Sequence, residues 1–189
     1  MRFLDIIISV FLLIVLLPLI IGLTLLVFLD IGSPFFIQER VGKNKQKFYL
    51  YKFRTMLPGT ASVATHLADA SAITKLGKIM RKLKLDELPQ LINVIKGEMS
   101  LVGPRPCLPS QKELITVRAH HGVFSVSAGI TGLAQLKGID MSTPELLAKT
   151  DAEMIKNLTI STYLSYIAKT ALGGGRGDRV IPEANTKNK

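Results

Sequence analysis

Two adjacent carboxylates, Asp86 and Glu87, follow a strongly basic stretch of this 189-residue chain. Asp86 is a good N-cap and Pro89 is tolerated in a first turn, so a helix is expected to open at this pair and to end before Gly97. The helix dipole and the preceding cations both favour ionised carboxylates. Such a pair has two readings. It is an ordinary cap, or it is an anion set equipped to attack phosphorus or to hold Mg²⁺, which prefers oxygen donors. Gly103-Pro104-Arg105-Pro106 fixes an arginine between two prolines. It reads either as a rigid turn with a surface arginine or as a guanidinium presented for bidentate contact with phosphate. Lys52 and Arg54 are two apart in a strand-like run, so they share a face and could reach one ligand, although solvation accounts for them equally well.

Other reactive residue types carry less. His66, His120 and His121 have no metal-ligand spacing with cysteine and read as structural. Cys107 has no motif that would make it a nucleophile, and Gly129-Ile130-Thr131-Gly132 is too short a glycine pattern for a phosphate loop.

The elements that must position these groups follow from periodicity. Aromatic-rich runs at 35–38 and 48–53, separated by Val41 to Lys45, predict a β-hairpin with a longer loop. Residues 57–71 are small and polar and read as a loop. Ile73, Leu76, Ile79, Met80 and Leu83 recur at helical spacing with Lys75, Lys78, Arg81, Lys82 and Lys84 between them. That is a basic amphipathic helix, either packed on a core with a solvated face or lying in a membrane interface. Residues 110–121 are helical by pattern, whereas 125–140 are rich in small residues and predict a loop. Thr143 and Pro144 signal a helix start, and a last helix runs over about 159–172, stopping at Gly173.

Composition separates two zones. From Ile6 to Leu29 no charged residue occurs, long enough for a helix to cross a hydrocarbon core of ~30 Å. A signal peptide is disfavoured by that length and by the lack of a small-residue cleavage site. Hydropathy alone draws a single-pass helix. Pro18 near its centre allows the alternative, a bent helix that enters and leaves one face. The net charge is +10, and residues 40–84 carry eleven Lys/Arg against the single acid Asp69. A basic zone next to a membrane segment suits anionic headgroups or a phosphorylated ligand. Nucleic acid is the rival reading of that charge, disfavoured because such binders seldom carry a long apolar segment and no recognition motif is visible; it would show as steeply salt-dependent binding. One cysteine leaves no disulfide framework and favours a reducing, cytoplasmic setting.

Four stretches together resemble a known family: Phe36-Ile-Gln-Glu-Arg-Val-Gly42, Tyr51-Lys-Phe-Arg-Thr-Met56, the run from Leu83 to Pro106 (LKLDELPQLINVIKGEMSLVGPRP), and Gly129-Ile-Thr-Gly-Leu-Ala-Gln135. Their order and content resemble the small monotopic phosphoglycosyl transferases, the bacterial sugar transferases that begin lipid-linked glycan assembly. The resemblance implies an α+β fold, mainly α: a re-entrant membrane helix over 1–31, a catalytic domain over 32–180 with a small β-hairpin and interfacial amphipathic helices, and a flexible tail over 181–189. It implies transfer of a sugar 1-phosphate from a UDP-sugar, an N-acetylated or 6-deoxy amino sugar among the plausible donors, to polyprenyl (undecaprenyl) phosphate. UMP is released, Mg²⁺ is required, and a covalent phosphosugar intermediate forms on Asp86. Such a step begins polysaccharide, O-antigen or other glycoconjugate synthesis at the cytoplasmic face of the bacterial inner membrane, among its phospholipids.

Carried over by residue, Asp86 matches the nucleophile and Glu87 the second carboxylate, both as metal ligands. Lys52, Arg54, Arg81 and Arg105 fall at basic positions that would contact the substrate phosphates. A homodimer stays open. Three departures stand out: Ile139 replaces an arginine common after Gly138, Leu17-Pro18 replaces a Ser-Pro of some members, and the Gly173 to Asp178 stretch matches only part of the family and has no assigned role. The rival from another class is a non-catalytic membrane adaptor that binds lipid phosphates through its basic face.

Overall fold

The structure is a computed structural model that describes residues 1–60 and 69–175. His66, the middle of the 57–71 loop, the tail over 181–189 and the second half of the Gly173 to Asp178 stretch lie outside the described residues. The chain is α+β and mainly helical: α1 (Arg2–Ile31), β1 (Phe35–Val41), β2 (Lys47–Phe53), α2 (Lys75–Leu83), α3 (Gln90–Lys96), β3 (Met99–Val102), α4 (Lys112–His120), β4 (Ala128–Thr131), α5 (Leu133–Lys137), α6 (Pro144–Lys156) and α7 (Ile160–Ala171).

The apolar segment forms α1, and no single straight helix in it is long and apolar enough to cross a membrane. Its halves, Arg2–Val15 and Leu17–Ile31, meet at 64°. Pro18 lies just beyond the bend, where its missing N–H and its ring disrupt the helical ladder. Each half docks on the body. Arg2 donates to the carbonyls of Val94 (2.5 Å) and Ile95 (2.9 Å) at the end of α3, where cations complement exposed carbonyls. Asp5 Oδ1 is buried and accepts three hydrogen bonds: Leu101 N–H (2.8 Å), Ser100 Oγ (2.8 Å) and Tyr163 OH (2.7 Å). Leu4, Ile8, Leu12 and Leu13 pack against the main core around Leu50, Val94, Met99 and Tyr163. From the second half, Leu23 and Val27 join Phe53 and Met80 in a separate core. The remaining face of α1, including Phe3, Phe11, Ile14, Leu25 and Leu29, is exposed.

The hairpin forms as the aromatic runs predict, with β1 and β2 antiparallel in a register that pairs Phe35 with Phe53 and Val41 with Lys47. The basic helix also forms as α2; it buries Met80 and exposes Ile79 and Leu83. Two local expectations fail. Asp86 does not cap a helix: it sits in a 3-10 turn, Leu85–Glu87, and α3 starts later with Pro89 as its cap residue. The stretch 125–140 is not a loop either, since β4 pairs in parallel with β3 (Met99 with Ala128, Val102 with Thr131) and α5 follows it. The small residues there serve close backbone approach. A Cβ on Gly129 would meet Gly103 N at 2.0 Å, so these crossing chains require glycine.

Candidate active site

The Asp86–Glu87 turn is built by the end of α2. Lys84 caps that helix in the left-handed region (φ 58°, ψ 21°), which turns the chain directly into Leu85–Glu87. Leu85 and Leu88, on either side of the two acids, pack into the core shared by Leu23, Val27, Phe53 and Met80. Both carboxylates face inward and are buried, Asp86 at 3% and Glu87 at 7% exposure.

Cations converge on Glu87. Lys52 Nζ approaches Oε1 at 3.3 Å from β2, and Arg105 Nη2 donates to the same oxygen at 3.1 Å from the Gly103–Pro106 turn. A buried carboxylate needs such partners, since uncompensated burial of its charge costs several kcal/mol by order of magnitude. Beside them a small pocket is lined by Arg40, Lys52, Gln90, Arg105, Pro106 and Gly129. Arg81 donates from α2 to Thr55 Oγ1 at 2.8 Å. Thr55 lies two residues beyond β2 and seats α2, because a Cβ at Gly77 would meet its carbonyl oxygen at 2.2 Å. Of the predicted residues, the structure thus brings Lys52 and Arg105 to Glu87, with Asp86 beside it in the same turn.

Arg54 takes another course. It lies one residue past the end of β2, donates to Phe35 O at 3.2 Å and covers the Phe36 ring at 5.6 Å. Lys52 and Arg54 therefore part company, because the strand ends between them. His120 and His121 are exposed, and among the described residues the only ion pair to either is His121 to Glu145 at 3.7 Å. Cys107 is buried, and that burial pushes its thiol above the ordinary value.

Sequence reasoning passed over three residues behind the turn. Arg118 Nη1 donates to Arg105 O (2.7 Å), and its Nη2 pairs with Asp151 Oδ2 (2.7 Å). Arg40 donates to Pro106 O at 3.1 Å and to Gln38 Oε1 at 2.5 Å. Helical spacing contained a signal: Leu114 and Arg118 are four apart on α4, as are Leu147 and Asp151 on α6, so two opposite charges occupy core-facing positions.

Among the described residues no cluster of three or more His, Cys, Asp or Glu side chains could hold a metal. The donor set nevertheless fits Mg²⁺, which is bound through one or two carboxylates with water and substrate phosphate completing its shell. Asp86 and Glu87 would supply those carboxylates.

Comparison with known proteins identifies the family. Residues 1–174 match the family described as Bacterial sugar transferase. The chain is 42% identical over 146 residues to the "Uncharacterized sugar transferase EpsL" of Bacillus subtilis (strain 168), across 75% of this chain and 70% of that protein. It is 35% identical over 187 residues to the "Exopolysaccharide production protein ExoY" of Sinorhizobium fredii (89% and 82%). It is 33% identical to the "Undecaprenyl-phosphate galactose phosphotransferase" of Salmonella typhimurium, matching 90% of this chain but 39% of that longer protein. The chain belongs to the bacterial sugar transferase family.

Proposed function

We propose that this phosphoglycosyl transferase moves a sugar 1-phosphate from a UDP-sugar to polyprenyl phosphate through a covalent intermediate on Asp86. The observation that carries the reading is the burial of two adjacent acids in one turn, with two cations, Lys52 and Arg105, converging on Glu87 Oε1. Relatives named as undecaprenyl-phosphate sugar phosphotransferases support the reaction class.

In the first step an Asp86 carboxylate oxygen attacks the sugar-bearing phosphorus. An acyl phosphate bond forms, the pyrophosphate P–O bond breaks, and UMP leaves with that oxygen. In the second step a phosphate oxygen of the polyprenyl phosphate attacks the same phosphorus. The Asp86–phosphorus bond breaks, polyprenyl diphosphate sugar forms and the carboxylate is regenerated. Fixed cations at Lys52, Arg81 and Arg105 offset charge on the transferring oxygens. Glu87 holds Lys52 and Arg105 in place. Mg²⁺, held by Asp86 and Glu87, would supply further charge neutralisation at the phosphates. The donor sugar we place first is an N-acetylated or 6-deoxy amino sugar, on the family resemblance alone, and the product would start a surface polysaccharide or O-antigen.

The site works at a membrane in this reading. Arg2 at the start of α1 and the chain leaving it at Gly32 meet the same body, and the exposed faces of α1 and α2 are apolar or basic. These features support a re-entrant helix rather than a span, and the cytoplasmic face for the domain rests on the family resemblance.

The test is UMP exchange into UDP-sugar without lipid acceptor, across a panel of sugars. Wild type should exchange, and Asp86→Asn should lose at least about a thousandfold. Exchange that needs the lipid, or that survives in Asp86→Asn, would exclude the covalent route.

A further inference from the structure

We infer that Arg118 and Asp151 form a buried clamp that positions Arg105 for its contact with Glu87, making them positioning residues for the transfer reaction. The inference rests on the function proposed above.

The turn from Gly103 to Cys107 is held at every carbonyl from Pro104 onward. Pro104 O accepts from Gly129 N (2.9 Å), Arg105 O from Arg118 (2.7 Å), Pro106 O from Arg40 (3.1 Å), and Cys107 O from Val41 N (2.9 Å). Gly103 N in turn donates to Thr131 O at 2.8 Å. Pro104 and Pro106 have no N–H, so this backbone has little means of stabilising itself and depends on outside donors. The side chain that donates to the Arg105 carbonyl is almost wholly buried. Arg118 and Asp151 are 1% and 0% exposed, so their ion pair reaches from α6 through α4 to the carbonyl of the residue whose side chain touches Glu87.

Stability does not account for this pair. Removing two charges from water costs more than a well-packed apolar pair of similar volume would, and the geometry here leaves polar capacity unused. Among the described residues, Arg118 Nε and Asp151 Oδ1 are buried with no hydrogen-bond partner. What the guanidinium does and an apolar side chain cannot is donate to Asp151 and to the Arg105 carbonyl together. Its planar fork sets the angle between the two, and a displacement of about 1 Å in a phosphate-facing arginine can cost about a hundredfold in rate.

Two measurements decide this. In the first, phenylglyoxal modification of Arg105 is followed by peptide mass spectrometry in folded wild type, Arg118→Gln and Asp151→Asn. Release from Glu87 should raise the Arg105 rate severalfold in both variants; an unchanged rate overturns the clamp whether or not any turnover is observed. In the second, UMP release is compared in a cycle with Arg105→Ala. Arg118→Gln should reduce kcat/KM about tenfold or more alone, yet by less than about twofold when Arg105 is already alanine. The same factor in both backgrounds would mean a role independent of Arg105 and overturns the inference. The paired change Arg118→Met with Asp151→Leu should keep the melting temperature and lose activity; full activity there also overturns it. A wild type without UMP release removes the proposed reaction but leaves the modification result to judge the clamp.

Discussion

Glu87 Oε1 meets both Lys52 and Arg105, which reach it from elements far apart in the chain. The resemblance identified both cations, yet neither partner could be read from spacing, because the contacts span 35 and 18 residues. Arg54 shows the converse. Alternation put it on the face of Lys52, but alternation holds only while the strand continues, and β2 ends at Phe53. Cys107 gives a prediction at this scale. Burial raises its pKa, with Arg118 and Arg40 opposing that shift less strongly, so the reactive thiolate is scarce near neutral pH. Folded protein at pH 8 should leave Cys107 unmodified by an aromatic disulfide reagent, with full reaction after denaturation. Reaction in the folded state at the rate of a free thiol would contradict the burial.

At the scale of elements, α1 is tied to the body through polar contacts rare in so apolar a segment. Asp5 accepts from Leu101, Ser100 and Tyr163, and burial raises the Tyr163 pKa, with Asp5 adding to the rise, so that phenol stays a donor throughout the physiological range. Asp5→Ala would strand three donors. It should cost about 2–4 kcal/mol, read as a lower melting temperature in detergent, and should loosen α1 from α7. A change within about 0.5 kcal/mol would show that these bonds carry no net weight. Hydropathy gave no sign of this role, since it scores Asp5 only as the charged edge of an apolar run. The parallel pair β3 and β4 was hidden for a related reason. Gly129 and its small neighbours resemble a loop until Gly103 lies against them at a distance that excludes a side chain.

For the whole molecule, the bend of 64° in α1 and the contact of both halves with one body bear on topology. On the re-entrant reading proposed above, a helix whose first residue donates to α3 carbonyls and whose end leads into β1 keeps both ends on one side of the membrane. In spheroplasts, Arg2→Cys should resist a membrane-impermeant maleimide from outside and react once the inner membrane is opened. Labelling from the outside would place residue 2 across the membrane and restore a spanning helix. The same geometry links α1 to the site, because Leu23 and Val27 share a core with Leu85 and Leu88 beside Asp86.

Local pattern was enough for the hairpin, the basic helix α2, the helices near α4, α6 and α7, and the stop at Gly97, since each depends on spacing, caps or glycine within a few residues. Residue types and spacing singled out the acids, Lys52, Arg54 and Arg105, and the family resemblance assigned them roles and added Arg81. Tertiary structure alone decided that Asp86 lies in a 3-10 turn, that α1 bends by 64° and packs both halves on the domain, and that Arg118 and Asp151 stand behind Arg105. These depend on contacts between distant segments, whose cost in chain entropy is met only when the packed core forms, and no local window of residues contains that balance.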